Sequence, residues 1–154
     1  MRRMLAVGIT AVGLLLAGGS EAHAGRMRAQ ALKTPPPALE NTRWALTSVE
    51  GTKVESTSPR SAFIELDAAS HRLTGSGGCN QLSGEYQLEG NHLRLTGTAR
   101  TMMACAGGMD VENQLVKALD DVRQWRVSGE TLELLDGSGD VVARFSASGA
   151  GKAR

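Results

Sequence analysis

Glu85-Tyr86-Gln87-Leu88-Glu89-Gly90-Asn91-His92-Leu93-Arg94-Leu95 is the stretch on which the fold turns. Polar and apolar residues alternate on both sides of Glu89-Gly90-Asn91, with Tyr86 and Leu88 before it and Leu93 and Leu95 after it. Alternation of period two places apolar side chains on one face of a strand. Glycine and asparagine between two such runs tolerate the positive φ of a tight hairpin turn. One hairpin with one apolar face is not stable alone, so further strands or a helix must cover it.

Those partners lie to either side. Toward the C-terminus, Gln124 to Val127, Thr131 to Leu135 and Val141 to Phe145 read as three strands. They are joined by Ser128-Gly129-Glu130 and Asp136-Gly137-Ser138-Gly139, both strong turn sequences. Toward the N-terminus, Trp44, Leu46 and Ser48 share one face of a first strand, with Ala45, Thr47 and Val49 on the other. Ala62 to Leu66 is a second strand, Asp67 to Ser70 a turn, and Arg72 to Gly75 a third strand. Only Asp110 to Val122 departs from this pattern. There Val111, Leu115, Leu119 and Val122 recur at helical spacing, widened by Val116 and Ala118. Asp110 and Glu112 suit the positive end of a helix dipole. The expectation is a mainly β (α+β) domain, a curved, barrel-like antiparallel sheet covered by one α-helix. A parallel sheet would need several crossover helices.

The first residues read as an export signal. Arg2 and Arg3 precede the uncharged apolar run Met4 to Ala17, and Ala22-His23-Ala24 fits a small-x-small cleavage site. Residues 1–24 are therefore expected to be removed after Ala24. The apolar run falls short of the roughly 20 residues that span a bilayer, so no transmembrane segment is expected after cleavage. The only cysteines are Cys79 and Cys105, so no lipid-bearing cysteine follows the apolar run. The protein is expected to be periplasmic or secreted. Residues 25–38, with Pro35-Pro36-Pro37, read as an extended linker. Residues 39–146 form the domain and 147–154 a flexible tail.

Charge and composition exclude several functions. The domain carries ten basic and fifteen acidic side chains, a net of about −5. Together with five aromatic residues in the whole chain, this argues against nucleic-acid binding by phosphate contacts or base stacking. No internal repeat points to a solenoid or propeller.

The densest chemistry lies in Thr74-Gly75-Ser76-Gly77-Gly78-Cys79-Asn80-Gln81-Leu82-Ser83-Gly84-Glu85-Tyr86. Its glycines permit positive φ and close backbone approach. It lacks the dinucleotide and Walker fingerprints, so a bulge or tight corner is favoured over a ligand loop. Two cysteines in an exported chain suggest a Cys79–Cys105 disulfide. It would close a loop of about 25 residues and contribute about 3 kcal/mol. Free buried thiols and metal ligation remain as alternatives. Met102, Met103 and Met109 flank Cys105 and offer soft sulfur to cuprous copper, but methionine more commonly fills irregular core space, which is the expectation here. No cofactor is assigned. His71 and His92 each lie beside a turn. A thiol-dependent enzyme would need one of them near Cys79, and neither a serine elbow nor a zinc-binding His-Glu-x-x-His is present.

Gly75-x-Gly77-Gly78-Cys79-Asn80, Ser83-Gly84-x-Tyr86 and Thr101-Met102-Met103-Ala104-Cys105, with Met109 and Glu112 opening the helix, resemble the META domain. Trp44-x-Leu46 and Leu132-x-Leu134 extend the resemblance to nearly the whole of residues 39–146. This family includes bacterial heat-shock lipoproteins of the HslJ type and META proteins of trypanosomatid parasites. The resemblance implies a compact, mainly β domain with one helix. It also implies links to heat shock, novobiocin resistance and virulence, without an established reaction or a catalytic residue to carry over. The chain departs from the HslJ type in lacking a lipid-bearing cysteine. The resulting expectation is a monomeric, non-enzymatic envelope protein that supports stress or drug tolerance by binding a protein or envelope component. A small-molecule or copper module and a thiol-dependent enzyme are the alternatives.

Overall fold

Alternation along the chain becomes nine strands in the computed structural model, which describes residues 35–55 and 61–148. The expected export signal, the first ten residues of the linker and the tail from residue 149 lie outside the described residues. The strands are β1 (Arg43–Val49), β2 (Thr52–Lys53), β3 (Phe63–Asp67), β4 (Arg72–Ser76), β5 (Gln81–Glu89), β6 (His92–Arg100), β7 (Gln124–Ser128), β8 (Thr131–Leu135) and β9 (Val141–Ala147). The helix α1 (Met109–Asp121) lies between β6 and β7. About half of the described residues are strand, and every paired neighbour is antiparallel. β1 pairs with both β3 and β9, so the sheet curves back on itself.

The inward positions are filled by Trp44, Leu46, Ile64, Leu66, Leu73, Leu82, Tyr86, Leu93, Leu132, Leu134 and Phe145, all buried. Each large apolar side chain removed from water contributes roughly 1.5–3 kcal/mol. The seam between β6 and β7 is thin, with a single residue pair, His92 with Gln124. Beyond that pair β6 diverges, and α1 packs against β6, β1 and β9. Leu115, Ala118, Leu119 and Val122 on the helical stripe are fully buried there. Outside, Glu133 on β8 is held between Arg126 and Arg144 on the neighbouring strands.

Four local expectations change. The first strand does not alternate to its end: Val49 is buried on the same side as Trp44 and Leu46. The register with β9 shifts between Leu46 and Ser48, so Thr47 is an extra residue whose hydroxyl donates to the Arg144 carbonyl at 3.0 Å. Such a bulge switches the phase of every following side chain. In the turn of the β5–β6 hairpin Gly90 takes positive φ, at 60°, and Asn91 does not. The hairpin also runs further than its alternation suggests, from Gln81 to Arg100, across a second bulge between Ser83 and Glu85. The last strand continues through Ala147, and Ser148 N–H bonds the Arg43 carbonyl at 2.9 Å.

Candidate functional site

The glycine-rich stretch makes the corner between β4 and β5. Ser76 pairs with Gln81, and inside that pair Gly77 N–H donates to the Asn80 carbonyl at 3.0 Å. Space is the reason for glycine at position 77. A Cβ there would lie 2.3 Å from Glu112 Cγ, closer than atoms can approach. At Gly75, a Cβ would lie 2.4 Å from the Phe63 carbonyl oxygen across the sheet.

Glu112 fills the space that Gly77 leaves. It sits in the first turn of α1, where acids suit the dipole, but its side chain is wholly buried. Its Oε2 accepts from Asn80 N–H and its Oε1 from Asn80 Nδ2, each at 2.7 Å. Arg100 Nη1 lies 3.3 Å from Oε1 and bonds Asn113 Oδ1 at 2.7 Å. A buried carboxylate is tolerated only with such partners.

Asn80, itself 1% exposed, joins three segments. Its Oδ1 accepts from Thr101 Oγ1 at 2.9 Å and from Met103 N–H at 2.7 Å. Its Nδ2 donates to the Met103 carbonyl at 3.4 Å as well as to Glu112. All the bonding capacity of the amide is therefore used. Thr101 in turn accepts from Gln81 N–H at 3.1 Å. Next to this amide lies the covalent link, the Cys79–Cys105 disulfide, with Cα atoms 6.1 Å apart.

The methionines are not core residues. Met102 is 94% exposed and Met103 52% exposed, and Met109 is half-buried. The Met103 backbone is held by Asn80 and the chain two residues on by the Cys105 bridge, with the side chains of residues 102 and 103 outside the sheet. The residues that follow Met103 in sequence, Ala104 to Gly108, line a groove of about 760 Å³ together with Leu46, Val54, Ala62, Gly77 and Val111.

The two histidines lie at the other end of the sheet. His71 precedes β4, whose far end carries the glycine corner, and its ring meets the edge of Tyr86 at 5.7 Å. His92 opens β6 opposite Glu89. A cysteine–histidine pair is thus not formed, and both sulfurs are committed to each other. Among the described residues no group of three or more His, Cys, Asp or Glu side chains is arranged to hold a metal.

Tyr86 belongs to the histidine end. Its hydroxyl donates to Glu40 Oε1 at 2.5 Å and lies 3.0 Å from the Asp67 carbonyl oxygen. Burial, then the Glu40 carboxylate, pushes the phenol well above its ordinary value. Neither Glu40 nor Arg100 carries a local sequence signal for these roles, because their partners lie in distant segments.

A family model for the META domain matches residues 37–149. The chain belongs to the META domain family. Its fold recurs in an NMR structure with 26% identity and a TM-score of 0.57, covering 71% of this chain and 91% of that one. An NMR structure of a Burkholderia xenovorans protein has 21% identity and a TM-score of 0.59, covering 93% of this chain and 99% of that one. A crystal structure of a DUF4847 family protein from Bacteroides vulgatus has 12% identity and a TM-score of 0.52, covering 70% of this chain and 93% of that one. No curated protein matches the chain. In this META domain the motif residues divide by position. Gly77, Gly78, Cys79, Asn80, Thr101, Met103, Cys105 and Glu112 gather at the glycine corner. Gly75 and Gly84 are inward positions of β4 and β5, and Tyr86 closes the opposite end.

Proposed function

We propose that this META domain is an exported, non-catalytic binding module that acts as a monomer, and that its binding surface combines the exposed Met102–Met103 pair with the groove lined by the residues that follow it. The observation that carries this reading is the exposure of Met102 and Met103 on a backbone immobilised by Asn80 and the disulfide. Large apolar side chains held outside a folded domain favour contact with another apolar surface, and thioethers adapt to irregular partners. The occupant is an apolar segment of another envelope protein. The groove lining is made mainly of small and aliphatic residues, and its one acid, Glu55, is already paired with Lys53 at 3.0 Å. Export is supported by the signal-like first 24 residues and by the disulfide. No helix among the described residues is long and apolar enough to cross a membrane. A role in stress or drug tolerance follows from the family resemblance.

A second reading, a small-molecule site, is favoured by the groove's volume, which falls within the roughly 300–1,000 Å³ typical of ligand pockets. The thiol-enzyme reading is weakened because the bridge consumes both candidate nucleophiles. A copper site would have to rest on thioethers alone. The test is a photo-crosslinking residue placed at Met102 and, as a control, at exposed Glu89 on the distant hairpin tip. Adducts with one exported protein from position 102 alone, lost on Met103→Asp, are expected. Equal labelling from both positions, or adducts that survive Met103→Asp, would sink the reading.

A further inference from the structure

We propose that Met102 and Met103 form a reversible oxidation site that takes peroxides, and that the fold is built to carry the oxidised form. This does not depend on the groove having an occupant. Oxygen transfer to a thioether is governed mainly by access, and these two sulfurs belong to side chains 94% and 52% exposed. The cysteines cannot compete, because both are bridged. Met109, the remaining described methionine, is half-buried in the first turn of α1.

The chemistry needs no catalytic group. A sulfur lone pair attacks one oxygen of hydrogen peroxide, the S–O bond forms, and the O–O bond breaks. The departing hydroxide takes up the proton shed by the transferred oxygen, so one water leaves. Sulfur loses two electrons and the peroxide gains them. Return requires a dithiol reductant: the sulfoxide oxygen leaves as water and the dithiol becomes a disulfide.

Sulfoxide formation is ordinarily damaging because it puts a polar group into a packed core. That penalty is absent here. The N–H and carbonyl of Met103 are tied to the Asn80 side chain, Thr101 is tied to Gln81, and Cys105 is covalently fixed two residues on. The segment keeps its path whatever its two thioethers become. Oxidation converts the two exposed side chains from apolar to dipolar and leaves the sheet intact.

The experiment exposes the purified chain, without its signal, to graded hydrogen peroxide, quenches it, and reads oxygen uptake peptide by peptide by mass spectrometry. Melting is followed on the same samples. Met102 and Met103 are expected to take one oxygen each about tenfold faster than Met109, with an unchanged melting temperature and an intact Cys79–Cys105 bridge. Met27, outside the described residues, is read on its own peptide. A methionine sulfoxide reductase with its dithiol donor is expected to return both residues to the thioether. Met102→Leu with Met103→Leu keeps the apolar bulk and is expected to abolish the fast uptake. Oxidation of Met109 as fast as Met102, a fall in melting temperature on oxidation of Met102 and Met103 alone, or sulfoxides that the reductase cannot return would each overturn the proposal.

Discussion

The carboxylate of Glu112 takes both the backbone and the side-chain N–H of Asn80, each at 2.7 Å, across 32 residues of sequence. The first turn of α1 is thereby fastened from inside to the corner that opens β5. Since Asn80 also holds Thr101 and Met103, one amide and one carboxylate set the position of the segment that carries the exposed methionines and Cys105.

Glu112→Gln is expected to destabilise the domain by about 3 kcal/mol, because a carboxamide can accept only one of the two bonds and turns a donor toward the other. Asn80→Ala is expected to cost a similar amount. The double variant should lose at least about 1 kcal/mol less than the sum, since both singles break the same bonds. Urea denaturation of the four proteins measures this, and strict additivity would mean that the two residues act separately.

Gly77→Ala places a methyl group 2.3 Å from Glu112 Cγ, whereas a Cβ at Gly137 meets nothing closer than Arg123 Cγ at 3.7 Å. The first substitution must displace a buried carboxylate and is expected to cost more than about 2 kcal/mol, the second less than about 0.5 kcal/mol. Thermal melting of the two single variants compares them. Equal losses would show that position 77 can yield.

Replacing both Cys79 and Cys105 by serine is expected to lower stability by about 3 kcal/mol, with most of the effect in the unfolded chain, where the 26-residue separation is no longer closed. Each single replacement should cost as much as the pair. The Asn80 bonds do not depend on the bridge, so the far-ultraviolet dichroism of the reduced protein should match that of the oxidised one. A reduced protein that loses its strand signal would show instead that the bridge is needed to form the corner.

The hairpins from Glu85 to Leu95 and from Gln124 to Phe145 were legible because turn chemistry and alternation are local properties, and the same holds for the stripe Val111, Leu115, Leu119 and Val122. The phase of Val49 was not, since the bulge at Thr47 is set by pairing with Arg144, almost a hundred residues away. Met102 and Met103 were misplaced for a related reason. Hydrophobicity argues for burial, but their location follows from where Asn80 holds the backbone. Glu112 fitted a local explanation, the helix dipole, so nothing in the sequence called for the distant partner that occupies it.

Tyr86 offers a direct reading of the other end of the domain, because it is the only tyrosine in the chain. Its neutral form is favoured in the folded state by burial and by the Glu40 carboxylate 2.5 Å away. A folded-state value raised above the unfolded one stabilises the protein fully at pH below the unfolded phenol value of about 10, and that stabilisation is lost as pH rises through and beyond it. Ultraviolet titration should therefore show no phenolate in the native protein at pH 10 to 11, and a half-ionised phenol near pH 10 in concentrated urea. Melting temperature should fall above pH 10. Tyr86→Phe should lower stability at neutral pH by about 1 to 2 kcal/mol, through loss of the bond to a charged acceptor. In that variant the alkaline fall due to this group should vanish, and Glu40→Gln should move the native titration back toward the ordinary value. A native phenol that ionises near pH 10 would mean that the hydroxyl is not held against Glu40, and that the start of the domain is not closed by this contact.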